Sequence, residues 1–113
     1  MSQKSKEEIL EEIKKDIQNH KIIAFIKGEK LMPVCGYSRT VVNIFHQLGV
    51  PFETRNVLQS EEYLRTLKEY TQWPTTPQVF INGEFIGGCD ITLELYESGE
   101  LQKKIEKALQ AEN

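Results

Sequence analysis

Two cysteines in 113 residues, Cys35 and Cys89, are too few to staple a secreted disulfide scaffold. No apolar run approaches the roughly 20 residues that a membrane-spanning helix requires. The 14 lysines and arginines are scattered among 17 acidic residues, for a net charge of −3, whereas a nucleic-acid binder shows a basic stripe. Residues 1–15 are charged and helix-patterned, with neither the apolar core of a secretion signal nor the Arg- and Ser-rich make-up of a transit peptide. Repeats, low-complexity stretches and interdomain linkers are missing as well. The expectation is therefore one domain over residues 1–113, with an N-terminal helix at about 5–18 and a core at about 20–109, binding neither nucleic acid nor membrane. Few cysteines and no apolar leader point to a reducing compartment. The cytoplasm is the simplest, or a plastid or mitochondrial interior for a chain whose transit segment was removed.

What is present reads as alternating helices and strands. Ser5 followed by Glu8 makes a capping box, and Ile9, Leu10, Ile13 and Ile17 then fall on one helical face. Ile22 to Ile26 is a continuous apolar run, as in a strand covered on both sides. Gly28 to Val34 reads as a loop. A helix from about Gly36 would bury Val41, Ile44, Phe45 and Leu48 and stop at Gly49. Phe52 to Val57 reads as a strand parallel to the first, because a helix joins the two. Ser60 can cap the next helix, whose stripe is Tyr63/Leu64, Leu67 and Tyr70. Asn82-Gly83, between Gln78–Ile81 and Glu84–Gly87, supplies the two positive-φ positions of a tight hairpin. Asp90 can cap a short helix through Tyr96, and a last helix aligns Leu101, Ile105, Ala108 and Leu109. The sum is an α/β domain, a small mixed sheet with helices on both sides.

The chemistry centres on Cys35, at the start of a helix. Unpaired N–H groups and the positive end of the helix dipole there favour a thiolate. From position alone, a reactive thiol and a structural cysteine both stay open. Three residues on stands Ser38, so the motif is not Cys-x-x-Cys: either turnover uses an outside thiol or the thiolate serves something other than disulfide exchange. Cys89, after two glycines, could be a small buried hydrophobe, a metal ligand or a resolving thiol. Lys27 alone reads as solvated, Asp90 as a cap and Trp73 as packing. His20 and His46 fall on polar faces and suggest neither ligands nor a base.

Lys27-Gly28, Pro33-x-Cys35-Gly36-Tyr37-Ser38, Trp73-Pro74-Thr75-Thr76-Pro77-Gln78 and Gly87-Gly88-Cys89-Asp90 occur in that order. Together, and at matching spacing, they resemble the monothiol glutaredoxins from about residue 5 to 109. The long step from Lys27 to Cys35 is similar to the monothiol group rather than the dithiol one. The resemblance implies a thioredoxin fold, a four-stranded mixed sheet flanked by helices, with a glutathione groove beside Cys35. It implies that Lys27 holds glutathione near the sulfur and that Gly36 and Tyr37 line the site. Thr76 would pair its backbone with the cysteinyl unit, before a cis Pro77. Gly88, Cys89 and Asp90, with the helix N-terminus, would hold the γ-glutamyl end. The chain departs from the family at Tyr37, where Phe is usual, and at Thr76, where a more apolar residue is usual. It departs again at Leu64, where a glutathione-binding Arg is common; Arg65 is one step away, and Lys68 is the candidate replacement.

Two functions follow from the resemblance. In the first, the chain carries a [2Fe–2S] cluster. Such a cluster needs four ligands, so two chains would give two Cys35 thiolates and two glutathiones the rest, in a cluster-bridged homodimer. A BolA-like protein could replace one protomer, and apo iron–sulfur proteins would be recipients. In the second, Cys35 is the nucleophile of glutathione-dependent disulfide reduction, at most a weak activity given the long 28–34 segment.

Overall fold

The computed structural model describes residues 3–111; the domain expected over 1–113 extends past these at both ends. Helix α1 (Lys6–Asn19) opens with the capping box at Ser5, whose hydroxyl accepts from Glu8 N–H while Glu8 accepts from Ser5 N–H. There follow β1 (Ile22–Ile26), β2 (Gly28–Glu29), β3 (Met32–Pro33), α2 (Gly36–Leu48) and β4 (Glu53–Asn56). A 3₁₀ turn (Val57–Gln59), α3 (Glu61–Thr71), β5 (Gln78–Ile81), β6 (Glu84–Gly87), α4 (Cys89–Ser98) and α5 (Glu100–Gln110) complete the order. The main sheet runs β4-β1-β5-β6. β1 is parallel to β4 and antiparallel to β5, and β6 returns from β5 through Asn82-Gly83, both at positive φ.

β1 is buried at every position because its two faces serve two cores. Ile22, Ala24 and Ile26 pack with Val41 and Phe45 of α2 and with Leu101 and Ile105 of α5. Ile23 and Phe25 pack with Ile13 and Ile17 of α1 and with Tyr63 and Leu67 of α3. Fully burying each Ile, Leu, Val or Phe among them contributes about 1.5–3 kcal/mol. This is the thioredoxin fold, helices on both faces of a four-stranded mixed sheet.

Some readings of the sequence need correction. The segment 28–34 is a two-stranded ribbon, Gly28 facing Pro33 and Glu29 facing Met32. Tyr70 and Leu109, assigned to apolar stripes, are exposed, since each sits at the edge of its stripe in the last turns of its helix. The second strand is shorter than 52–57, because Val57 starts a 3₁₀ turn. His46 lies edge-on to the Phe52 ring, and His20 approaches Arg55 at 3.4 Å.

Register explains why distant motifs meet. Ile26 pairs with Asn56, Phe25 with Gln78 and Val79 with Gly87. One end of the sheet therefore gathers the exit of β1, the exit of β4, the entry of β5 and the exit of β6. Gly28 makes the first turn out of β1 at φ +100°, where an added Cβ would stand 2.7 Å from Met32 O and from Val34 N. Gly28→Ala combines a left-handed backbone with backbone contacts that cannot yield. A loss of about 1–3 kcal/mol is expected, read as a lower urea midpoint; an unchanged midpoint would mean that the ribbon rearranges freely.

Candidate functional site

Cys35 is the N-cap residue of α2, with extended backbone angles. Its carbonyl already accepts from Arg39 N–H at 2.9 Å, while its side chain faces the free N–H groups of the helix. The Ser38 backbone N–H is the main cause that holds the Cys35 thiol below its ordinary range. The Tyr37 N–H, the Ser38 hydroxyl and the Lys27 charge act the same way, against partial burial. The thiol is half-buried and open to reagents.

Ser38 is fully buried, and its Oγ accepts from Lys27 N–H at 3.0 Å. A hydroxyl that accepts from one peptide can donate to a neighbouring sulfur, so Ser38 couples the exit of β1 to Cys35. In the sequence Ser38 shows only as the absence of a second thiol. The signal was its position, third in the helix behind the cysteine.

Across from Cys35 is a cleft of about 340 Å³ lined by Tyr37, Trp73, Thr75, Thr76, Pro77, Gly88, Cys89, Asp90 and Ile91. Its floor is the Thr76–Pro77 peptide, which is cis. The loop before it is held by Gln78, whose buried amide donates to Trp73 O and Thr75 O at 3.1 Å each. The signal for Gln78 in the sequence is a polar residue opening an otherwise apolar strand. Gly88 is buried, and an added Cβ would come within 3.3 Å of Pro77 O, so a side chain there would crowd the floor. Trp73 packs edge-on against Phe85, as expected, and its indole N–H is buried without a partner at the cleft.

Gly88, not Asp90, occupies the cap of α4, and it offers no side chain to the first N–H groups. Asp90 lies exposed in the first turn. Burial chiefly, then the Asp90 carboxylate, raises the Cys89 thiol; the Thr40 hydroxyl opposes them, and Cys35 adds a smaller push upward. The two cysteines are therefore close neighbours with opposite character.

Tyr37, Thr76, Pro77, Gly88, Cys89 and Asp90 thus meet in one cleft, with Cys35, Gly36 and Lys27 beside it. Lys68 does not join them; it lies with Arg65 and Gln72 in a separate depression that shares only Trp73 with the cleft. It sits a helical turn beyond Leu64, and Leu64 packs on the core. Arg65 pairs with Glu62 at 3.1 Å. A larger hollow of about 660 Å³ between the starts of α1 and α3 holds solvated charged residues and no thiol.

One thiol held below its ordinary range at a helix start, beside a peptide-sized cleft that contains a cis-proline, defines a monothiol member of the thioredoxin fold. The glutaredoxin family profile matches residues 22–86. A monothiol glutaredoxin of Synechocystis, itself uncharacterized, is 56% identical over 90 residues, covering 80% of this chain and 84% of that protein. The chloroplastic monothiol glutaredoxin-S7 of Oryza sativa is 55% identical over 95 residues, 84% of this chain and 56% of that protein. The chain therefore spans little more than half of such chloroplastic relatives. Among solved structures, reduced apo GrxS14 of poplar superposes with a TM-score of 0.79 at 50% identity, over 89% of this chain and 93% of that one. A buckwheat glutaredoxin–glutathione complex gives 0.82 at 25% identity, over 99% and 100%. The chain belongs to the glutaredoxin family, among its monothiol members.

Proposed function

We propose that the chain binds glutathione in the cleft beside Cys35 and carries a [2Fe–2S] cluster as cargo, bridged between two copies. The observation that carries this reading is the contrast between the cysteines: Cys35 is held toward the thiolate, and Cys89 is held toward the neutral thiol. Each chain then offers one anionic sulfur, two copies offer two, and a cluster takes four ligands. Among the described residues no three His, Cys, Asp or Glu side chains gather to hold a metal ion, so the remaining ligands come from outside the chain. Glutathione fits that need. The open N–H groups at the start of α4 suit a carboxylate, and Asp90 suits an ammonium. Lys27 stands near the sulfur. Ligands borrowed from a small molecule exchange readily, which suits transfer to apo iron–sulfur proteins or pairing with a BolA-like partner. The setting is the cytoplasm, or a plastid or mitochondrial interior.

The test is anaerobic reconstitution with iron and sulfide, with and without glutathione. A coloured dimer is expected only with glutathione, and Cys89→Ser should keep it. Colour without glutathione, or its loss on Cys89→Ser, would replace the borrowed ligands by two protein thiolates per chain.

A second reading is favoured by the half-exposed sulfur. The Cys35 thiolate attacks the glutathionyl sulfur of a mixed disulfide, releasing the other protein as its thiolate. A second glutathione thiolate then frees Cys35, leaving oxidised glutathione. Rapid turnover of a small glutathionylated substrate would favour this reading.

A further inference from the structure

Asn56 ends β4 beside Ile26, the last residue of β1, and its side chain makes three hydrogen bonds. Its Oδ1 accepts from Gly28 N–H at 3.0 Å and from Leu58 N–H at 2.9 Å, and its Nδ2 donates to the Glu29 carboxylate at 3.1 Å. The preceding peptide N–H, that of Lys27, goes to Ser38 Oγ at 3.0 Å. Two successive N–H groups leaving β1 are thus gripped by side chains from opposite neighbours, one on β4 and one on α2. Farther along, Lys30 donates to Phe52 O and lies over the Phe52 ring, and Arg39 donates to Pro33 O. A ribbon of two residues per strand does not hold itself. Yet its two ends carry Lys27 and Cys35, whose separation it sets.

We propose that Asn56 is a positioning residue of the thiol site: through Gly28 and Glu29 it fixes the ribbon, and so fixes where the Lys27 ammonium stands when a glutathionyl group reaches Cys35. A capping role for the 3₁₀ turn accounts for the bond to Leu58 alone. It does not account for the grip on Gly28 and Glu29, which belong to another element. The inference rests on the glutathione reading above and adds the device that orients its cation.

The experiment compares two second-order rates of Cys35 at one pH: with oxidised glutathione, whose carboxylates can meet Lys27, and with 2-hydroxyethyl disulfide, which is neutral. Their ratio cancels thiol ionisation and the folded fraction. Lys27→Ala should lower the ratio about tenfold, and Asn56→Ala should lower it about threefold to tenfold, the size expected for one or two lost polar contacts. Asn56→Asp keeps the acceptor for Gly28 but sets a carboxylate against Glu29, and should also lower it. The double change Asn56→Asp with Glu29→Gln restores a donor–acceptor pair of reversed sense, and should return the ratio to within about twofold of the parent. If Asn56→Ala folds poorly, the Asp variant and its rescue carry the test. A fall for Lys27→Ala with an unchanged ratio for both Asn56 variants would overturn the positioning role alone. An unchanged ratio for Lys27→Ala would overturn the glutathione reading and this inference with it.

Discussion

Replacing Cys35 by serine is expected to abolish the coloured dimer completely and leave an apo monomer of near-normal fold. A serine hydroxyl stays protonated near neutral pH and is a poor ligand for iron in a sulfur cluster. Cys89 cannot stand in, because its thiol is pushed up by burial. Colour and dimer surviving in the variant would end the carrier proposal. The same residue sets a pH dependence. The Cys35 thiol lies below its ordinary value, chiefly through the Ser38 N–H, so iodoacetamide should modify it with a midpoint below about 8.5, the usual thiol value. Cys89 should react later and at higher pH. A thiol more acidic in the folded chain than in the unfolded one stabilises the fold by ionising. That contribution is complete above the unfolded value, shrinks as pH falls, and is gone below the folded value. The melting temperature of the parent relative to Cys35→Ser should therefore rise as pH climbs toward about 8.5. A difference that stays flat with pH would show that the helix N-terminus does not favour the thiolate.

How much of this was legible in the sequence depends on how local the cause is. The capping box at Ser5, the Asn82-Gly83 turn and the continuous apolar run of β1 are each decided within a few residues, and each appears as read. The 28–34 ribbon was missed because its strands are two residues long, and what orders them is Asn56, far along the chain. Asp90 looked like a cap because it precedes the helical pattern. Gly88 takes the cap because the chain turns two residues earlier, beside the Pro77 carbonyl. Tyr37, Thr76, Pro77 and the Gly88–Asp90 segment reach one cleft through the registers of β1, β5 and β6. Spacing along the chain does not contain those registers; the resemblance to known proteins stood in for them. Lys68 is the counter-example. Helical geometry sets it one turn from Leu64, but Leu64 packs on the core and Lys68 lies away from the cleft.

Ser38→Ala is expected to weaken both the fold and the thiol, and the two losses have separate signatures. The Ser38 side chain is fully buried and is the acceptor for Lys27 N–H. Removing it leaves that donor without a partner, at about 1–3 kcal/mol. For a domain of this size that is roughly 4 °C of melting temperature per kcal/mol. The thiol loses one of its hydrogen-bond donors but keeps the larger contribution, the Ser38 backbone N–H, which alanine also carries. Its midpoint should therefore move up and still fall short of an ordinary cysteine. Alkylation near neutral pH should slow while the rate above about pH 9 stays as in the parent. Ser38→Cys offers a contrast: a sulfur is a weak acceptor for Lys27 N–H, so stability should again fall, but a second thiol now lies three residues from Cys35 and can close a disulfide with it. If Ser38→Ala left both the melting temperature and the midpoint in place, the hydroxyl would be a bystander. The exit of β1 would then be coupled to the sulfur by the ribbon alone.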